Sequence, residues 1–329
     1  MTAMTVFEAF FLNLLVLGLA LLLDQISGEP PEKIHPTVWM GRVVSYLKPR
    51  FRSRTPRKTR MGGCVLWFVC VTGFAVATIA IVALAEKYLG AAGYVLASTI
   101  ILKTSFALKS WDSHMLPVAE ALESNNIQEA RRLCQKTVRR DLSNANEQHV
   151  ISASIETIAE GVIDGYTSPI FYFAVFAAPG AVVYRMINTL DSMVGYKDQE
   201  HMDLGWFSAK MDTAANYVPA RITAFVMLLA SALAGENWRR AKNILSRYRN
   251  TPESLNAGWP MSAMAGALGV KLEKTGQYTI GETYETLKTH HVYRALRIMK
   301  TTCAVFTLLV AVPLDYYGTQ LIQKLVVRI

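Results

Sequence analysis

Three carboxylates, Glu156, Glu160 and Asp164, recur at i, i+4 and i+8, so one helix face presents all of them. Carboxylates one turn apart repel unless a cation or solvent compensates. Oxygen ligands grouped this way suit Mg²⁺, which phosphate-bearing substrates commonly bring. The competing account is a solvated face, set opposite the apolar face of Ile151, Ile155, Ile158 and Val162. A second set is Tyr184, Asn188 and Asp191 at i, i+4 and i+7, followed by Gly195, Tyr196 and Lys197 in a turn. Polar groups so close to an apolar segment are costly unless they pair or line a cavity; helix capping and interfacial anchoring would also account for them. A third set places Asp212 and Asn216 on one face, ahead of Pro219, which is expected to open an apolar helix, and Arg221 one turn inside it. Arg221 could snorkel to headgroups or hold an anionic group by a bidentate contact. A fourth runs from Asp24 through Gly28, His35 and Trp39 to Arg42. His35 there is an acid–base candidate or a structural donor in a proline-fixed loop.

These residues lie between long apolar runs. Hydrophobic residues make up 52% of the 329 and charged ones 18%. Val6 to Leu23, Cys64 to Ala85 and Leu89 to Leu108 are each long enough to cross a bilayer as a helix. Pro169 to Ile187, Pro219 to Ala234 and Thr301 to Val312 are shorter or interrupted. The first run lacks a basic leader and a small-residue cleavage site, so it is read as a retained helix. The expected class is mainly α: a polytopic integral membrane protein with four to six membrane-inserted helices and cytoplasmic helical regions. Residues 1–329 are taken as a single membrane-embedded domain, with a polar helical region at 110–166 and a second polar region at 236–300. Within the first, Asn126 to Glu129 resembles a capping box that opens a helix through about Arg140. No segment alternates convincingly as a strand.

The formal net charge is +9. Its densest basic cluster, Arg50 to Arg60, directly precedes the second apolar run, as in a cytoplasmic loop under the positive-inside bias. No aromatic-interleaved surface points to nucleic acid. The four cysteines form no CxxC, so a zinc site or disulfide framework is not expected. A Walker A loop, a GxGxxG and an HExxH are absent.

Taken together, these stretches resemble the adenosylcobinamide-phosphate synthase family, the CbiB/CobD type, from about Leu21 to Gly281. The family's D-x(3)-G-D-P…H-P-V-x-x-M-G is matched by Asp24, Gly28, Pro30, His35, Pro36, Met40 and Gly41, with Glu29 and Thr37 substituted. Its R-S-L…H is matched by Ser110 and His114, with Lys109 and Trp111 substituted, and its G-R-D by Arg140 and Asp141. Its E-S-x-A-E-N-x-x-D-G is matched by Glu156, Ala159, Glu160, Asp164 and Gly165, with Thr157 for Ser and Gly161 for Asn. Its Y-R-x-x-N-T-L-D-S-M-V-G-Y is matched in full from Tyr184 to Tyr196. Its D-D-x-x-N-x-x-P-A-R is matched except that Thr213 replaces the second Asp, and its N-A-G-W-P from Asn256 to Pro260.

The resemblance implies a ligase of cobalamin biosynthesis in the cell membrane, with its site on the cytoplasmic side. It would join aminopropanol phosphate, or a related amino alcohol, to adenosylcobyric acid at the expense of ATP, with Mg²⁺. The implied catalytic residues are Glu156, Glu160, Asp164, Asp191 and Asp212, the first three also as Mg²⁺ ligands. Asp24, His35, Trp39, Tyr184, Asn188, Tyr196, Lys197, Asn216, Arg221 and Asn256 would bind substrate. The lipid bilayer is a partner; a homo-oligomer is permitted and not demanded. A corrinoid-binding or sensory membrane protein of the same fold is the alternative. Topology adds one expectation: if all motifs share the ATP side, the segments Pro169 to Ile187 and Pro219 to Ala234 cannot both cross fully. One or both must be re-entrant or broken around a polar cavity.

Overall fold

The computed structural model describes residues 5–326 other than 32, 34, 139, 197 and 200. It is 76% helical. The helices are α1 (Val6–Ser27), α2 (Pro36–Leu47), α3 (Pro56–Lys103), α4 (Ser110–Glu123), α5 (Ile127–Gln135), α6 (Glu147–Val162), α7 (Ser168–Val194), α8 (Trp206–Ala215), α9 (Tyr217–Leu233), α10 (Trp238–Tyr248), α11 (Gly258–Leu268), α12 (His290–Phe306) and α13 (Val312–Val326). π-helical turns at Ile163–Thr167 and Thr307–Ala311 precede α7 and α13. Four stretches among the described residues are long and apolar enough to cross a membrane: Val6–Ser27, Pro56–Lys103, Glu147–Val194 and His290–Leu321. The bent pair α8 and α9, broken at Asn216, makes a fifth if counted as one. The protein is therefore a mainly α, polytopic membrane protein.

Where the sequence reading takes one domain, the chain packs as two compact units that it enters repeatedly. Unit 1 comprises residues 1–107, 168–215 and 308–329; unit 2 comprises 108–167 and 216–307. Both polar regions, 110–166 and 236–300, fall in unit 2.

In unit 1 two helices double back on themselves. Gly90 breaks α3 with φ 61°, ψ −149°. A Cβ placed on Gly93 would lie 2.0 Å from the Ala85 carbonyl oxygen. Residues eight apart in a straight helix are separated by about 12 Å, so the chain has reversed. The same happens in α7, where Ala177 has φ 53° and a Cβ on Gly180 would lie 2.2 Å from the Tyr172 carbonyl. Positive φ at an alanine is strained, and Pro179 offers no N–H to continue the ladder. Of the two segments, one or both of which are expected to be re-entrant or broken, Pro169 to Ile187 is thus interrupted, as a helical hairpin.

Three local expectations need correction. The helix opened by Asn126, whose side chain accepts from the Glu129 N–H, stops at Gln135 rather than near Arg140. The Gln135 amide donates to the Val138 and Arg140 carbonyls and accepts from the Leu142 N–H, which turns the chain aside. Pro219 is the third residue of α9 and not its first, still within the turn whose N–H groups have no helical partner. An antiparallel hairpin, β1 (Leu272–Lys274) and β2 (Tyr278–Ile280), pairs Leu272 with Ile280. Three-residue strands are too short to show alternation.

The close approach at Gly180 yields a stability prediction. Gly180→Ala should lower stability by about 1–3 kcal/mol through overpacking. Gly73→Ala, which meets nothing within 4 Å, should be neutral or slightly stabilising. Thermal denaturation in detergent distinguishes the two.

Candidate functional site

Unit 2 holds the acidic helix. Glu156 is buried, at 5% exposure, and fully engaged. Its Oε1 accepts from Ser152 Oγ at 2.7 Å and Arg140 Nη2 at 3.0 Å, and its Oε2 from the Tyr278 hydroxyl at 2.8 Å. Arg140 also donates to the Glu273 carbonyl at 3.3 Å, and Ser152 Oγ accepts from the Glu273 N–H at 2.8 Å. One carboxylate thereby joins α6, the loop before it and the β-hairpin. Burial, then the neighbouring Glu156 charge, pushes the Tyr278 hydroxyl far above its ordinary pKa, so Tyr278 remains a donor. Neither the solvated face nor a metal-facing position describes Glu156. Its oxygens are occupied by protein donors.

Glu160, one turn on, is exposed. Asp164 is half-buried in the π-helical turn, and its Oδ1 accepts from Asn216 Nδ2 at 3.1 Å. The strict i+4 spacing therefore holds from Glu156 to Glu160 and is altered at Asp164. Arg221 lies one turn into α9. Its guanidinium sits 3.3 Å from the Tyr217 ring centre and 4.8 Å from that of Trp259, and Nη1 donates to the Asn256 amide oxygen at 3.1 Å. Asn256 is buried. Aromatic faces and a fixed amide hold this cation in one orientation.

Unit 1 holds the remaining residues. Arg185 donates through Nε to the Ser105 carbonyl at 2.8 Å and through Nη1 to Asn188 Oδ1 at 3.3 Å. Asn188 Nδ2 donates to Asp212 Oδ1 at 3.3 Å. Beside Asn188, a groove of about 530 Å³ between α2 and α7 is lined by Thr37, Val38, Gly41, Arg42, Ser45, Asn188, Thr189, Ser192 and Met193. His35 caps α2, its Nδ1 accepting from the Thr37 N–H at 3.2 Å. Burial holds its imidazole below the ordinary pKa; Glu29 opposes this, and the charges of Lys103 and Arg185 add to it. Asp24 is fully buried and pairs with the buried Lys103 at 3.5 Å.

Other expected binding residues are placed differently. Tyr184 is fully buried and stacks on Tyr172 at 5.4 Å, so it supports α7 from the core. Trp39 is 48% exposed and donates to the Lys33 carbonyl. Tyr196 packs edge-on to His201. The Asp191 carbonyl accepts from the Gly195 N–H at 2.7 Å. Lys197 lies outside the described residues. Sequence reasoning assigned no role to Arg140, Arg185, Lys103 and Tyr278. The first two stand inside quoted motifs, which was a usable signal. Tyr278 and Lys103 gave none, because their partners are distant in sequence.

Two departures from the family pattern explain each other. A Cβ on Gly161 would lie 1.9 Å from the Trp111 ring. Trp111 stands where the family has Leu, and Gly161 where it has Asn, so the indole fills the space that a side chain at 161 would take. Thr213, in place of the second Asp, donates its hydroxyl to the Ala209 carbonyl at 2.8 Å. A further cluster, Glu285, His290 and His291, is the group of three ligand side chains within 4.8 Å of one another found among the described residues. Arg294 donates to the same Glu285 oxygen that His291 approaches, at 3.0 Å, and continues to Glu236 at 2.6 Å. The group also sits at the N-terminus of α12, where the helix dipole disfavours a cation. Glu285, Arg294 and Glu236 form an ion-pair network there.

The fold is that of a helical membrane protein, with the acids of α6 and the caged Arg221 in unit 2 and a groove between α2 and α7 in unit 1. The chain belongs to the CobD/Cbib family, whose model matches residues 17–301. It is 39% identical over 301 residues to the "Probable cobalamin biosynthesis protein CobD" of Thermoplasma acidophilum, covering 90% of this chain and 95% of that one. Identity is 42% over 266 residues to the protein of the same name from Thermoplasma volcanium, with 80% and 84% covered. It is 32% over 303 residues to the "Cobalamin biosynthesis protein CobD" of Dehalococcoides mccartyi, with 90% and 96% covered. No solved structure matches.

The Trp111–Gly161 fit gives a double-mutant test. Gly161→Asn alone should destabilise unit 2 by roughly 2–4 kcal/mol, and adding Trp111→Leu should recover most of it, since contacting residues couple. Chemical denaturation of the four proteins measures the coupling; simple additivity would refute the compensation.

Proposed function

We propose that this protein is an amide-forming ligase of cobalamin biosynthesis. It would couple adenosylcobyric acid to aminopropanol phosphate, or a related amino alcohol, with ATP as co-substrate. The observation that carries the reading is the groove. It is built from two separate family motifs, with Thr37 to Arg42 on one wall and Asn188 to Met193 on the other. Its volume of about 530 Å³ and mainly apolar lining suit part of a wide corrin with amide arms. Family membership and the names of the relatives support the pathway.

The chemistry follows from the substrates. A carboxylate does not accept an amine at neutral pH. Its oxygen would first attack the γ-phosphorus of ATP, releasing ADP and giving an acyl phosphate. The amine would then attack the acyl carbon, phosphate would leave with the original carboxylate oxygen, and a carboxylate side chain would take the ammonium proton. Asp191 and Asp212, in the same unit as the groove, would take that proton. Arg221, held between Tyr217 and Trp259, would hold a phosphate.

Glu160 and Asp164 offer hard oxygen donors, which fit Mg²⁺ that keeps several waters and binds through one or two carboxylates and substrate phosphates. The ion would neutralise phosphate charge. Glu156 would act as a positioning residue through Arg140 and Tyr278. The site would face the cytoplasm, where ATP is, in the cell membrane.

Glu160→Gln tests the assignment, because Glu160 is exposed and its loss should leave the fold intact. Amide formation, followed by mass spectrometry of the corrinoid product in detergent, should fall by at least about a hundredfold with unchanged thermal stability. Wild-type turnover in that variant would rule out its role in the metal site.

A further inference from the structure

The segment from Lys33 to Arg60 contains nine basic residues and no acidic one. The chain's net charge is +9, and its other 25 basic residues are matched by 25 acidic ones. The excess positive charge therefore matches this one stretch, which runs from the loop after α1 through α2 into the first turns of α3.

Helix α2, inside the segment, has three faces. Met40 and Val44 are buried in the core of unit 1. Gly41 and Ser45 line the groove. The third face carries Trp39, Val43 and Tyr46 at i, i+4 and i+7, exposed by 48%, 37% and 66%. Arg42 flanks this stripe and is exposed, as are Arg50, Arg52, Arg54, Arg57 and Lys58 beyond the helix. Lys48 bonds to His201 and Arg60 pairs with Asp203 at 2.8 Å, which ties the segment to the loop before α8 within unit 1.

We propose that this face of α2, with the basic stretch through Arg60 at the start of α3, is an interfacial seat selective for anionic phospholipid. An exposed Trp–Val–Tyr stripe in water is unfavourable. At headgroup depth the rings meet acyl carbon while basic side chains reach the phosphates. A free phosphate or nucleotide would answer the charge and leave the stripe in water, so the two features together select a lipid surface. Juxtamembrane basic clusters of this size are attracted by anionic leaflets, more weakly as salt screens them.

The test uses the full chain in nanodiscs of phosphatidylcholine, with and without phosphatidylglycerol. The difference between wild type and Trp39→Phe isolates the Trp39 emission from the other tryptophans. Phosphatidylglycerol should shift that emission to the blue and raise its quenching by lipid brominated near the headgroup end of the chain. Replacing Arg52, Arg54, Arg57 and Lys58 by Gln should weaken the phosphatidylglycerol preference by at least about tenfold, as should high salt. Trp39 emission that ignores lipid composition, or stays equally open to aqueous iodide in both discs, would overturn the proposal. So would reproduction of the shift by inorganic phosphate in phosphatidylcholine discs, which would make the segment a phosphate site. None of these readings depends on the ligase activity.

Discussion

Backbone that leaves water must satisfy its own hydrogen bonds, and that constraint shapes the whole molecule. It explains why the apolar sequence is helical and why departures from helix are few and placed where backbones touch. The reversals at Gly90 and Ala177 bring chain to chain so closely that a Cβ on Gly93 or Gly180 would fall within 2.0 to 2.2 Å of a carbonyl oxygen. The same rule governs side chains. Asp24 meets Lys103, Arg185 meets the Ser105 carbonyl, and Glu156 has three donors.

That pairing separates scaffold from chemistry among the polar residues. A buried carboxylate with every oxygen taken, such as Glu156, is costly to disturb and not available to a ligand. Glu160 is exposed, and the half-buried Asp164 accepts from Asn216, so neither is walled in by protein as Glu156 is. Arg221 is intermediate: its orientation is fixed by Tyr217, Trp259 and Asn256, and fixing a guanidinium lowers the entropy lost on binding an anion.

The class of fold was legible because apolar runs of membrane length have few other uses. The family was legible from the unbroken motif Tyr184 to Tyr196. Helix periodicity placed Glu156 and Glu160 on one face, but it could not tell a solvated acid from a buried one. That distinction depends on Arg140 and Tyr278, which lie 16 and 122 residues away. Nor could it foresee the π-helical turn at Asp164 or the burial of Tyr184 against Tyr172. Topology asked for a break in one or both of Pro169 to Ile187 and Pro219 to Ala234, through the need to keep motifs on one side; it lies in α7. Gly161 and Trp111 lie 50 residues apart in sequence, and only packing brings the two substitutions together.

The most direct test of the account follows the oxygen. Adenosylcobyric acid labelled with ¹⁸O in its free carboxylate would be incubated with the purified protein, aminopropanol phosphate, ATP and Mg²⁺, and both products analysed by mass spectrometry. The account predicts amide only when ATP is present, with one label passing to inorganic phosphate for each amide formed. Corrinoid binding without amide, or amide formed with no label in the phosphate, would contradict it.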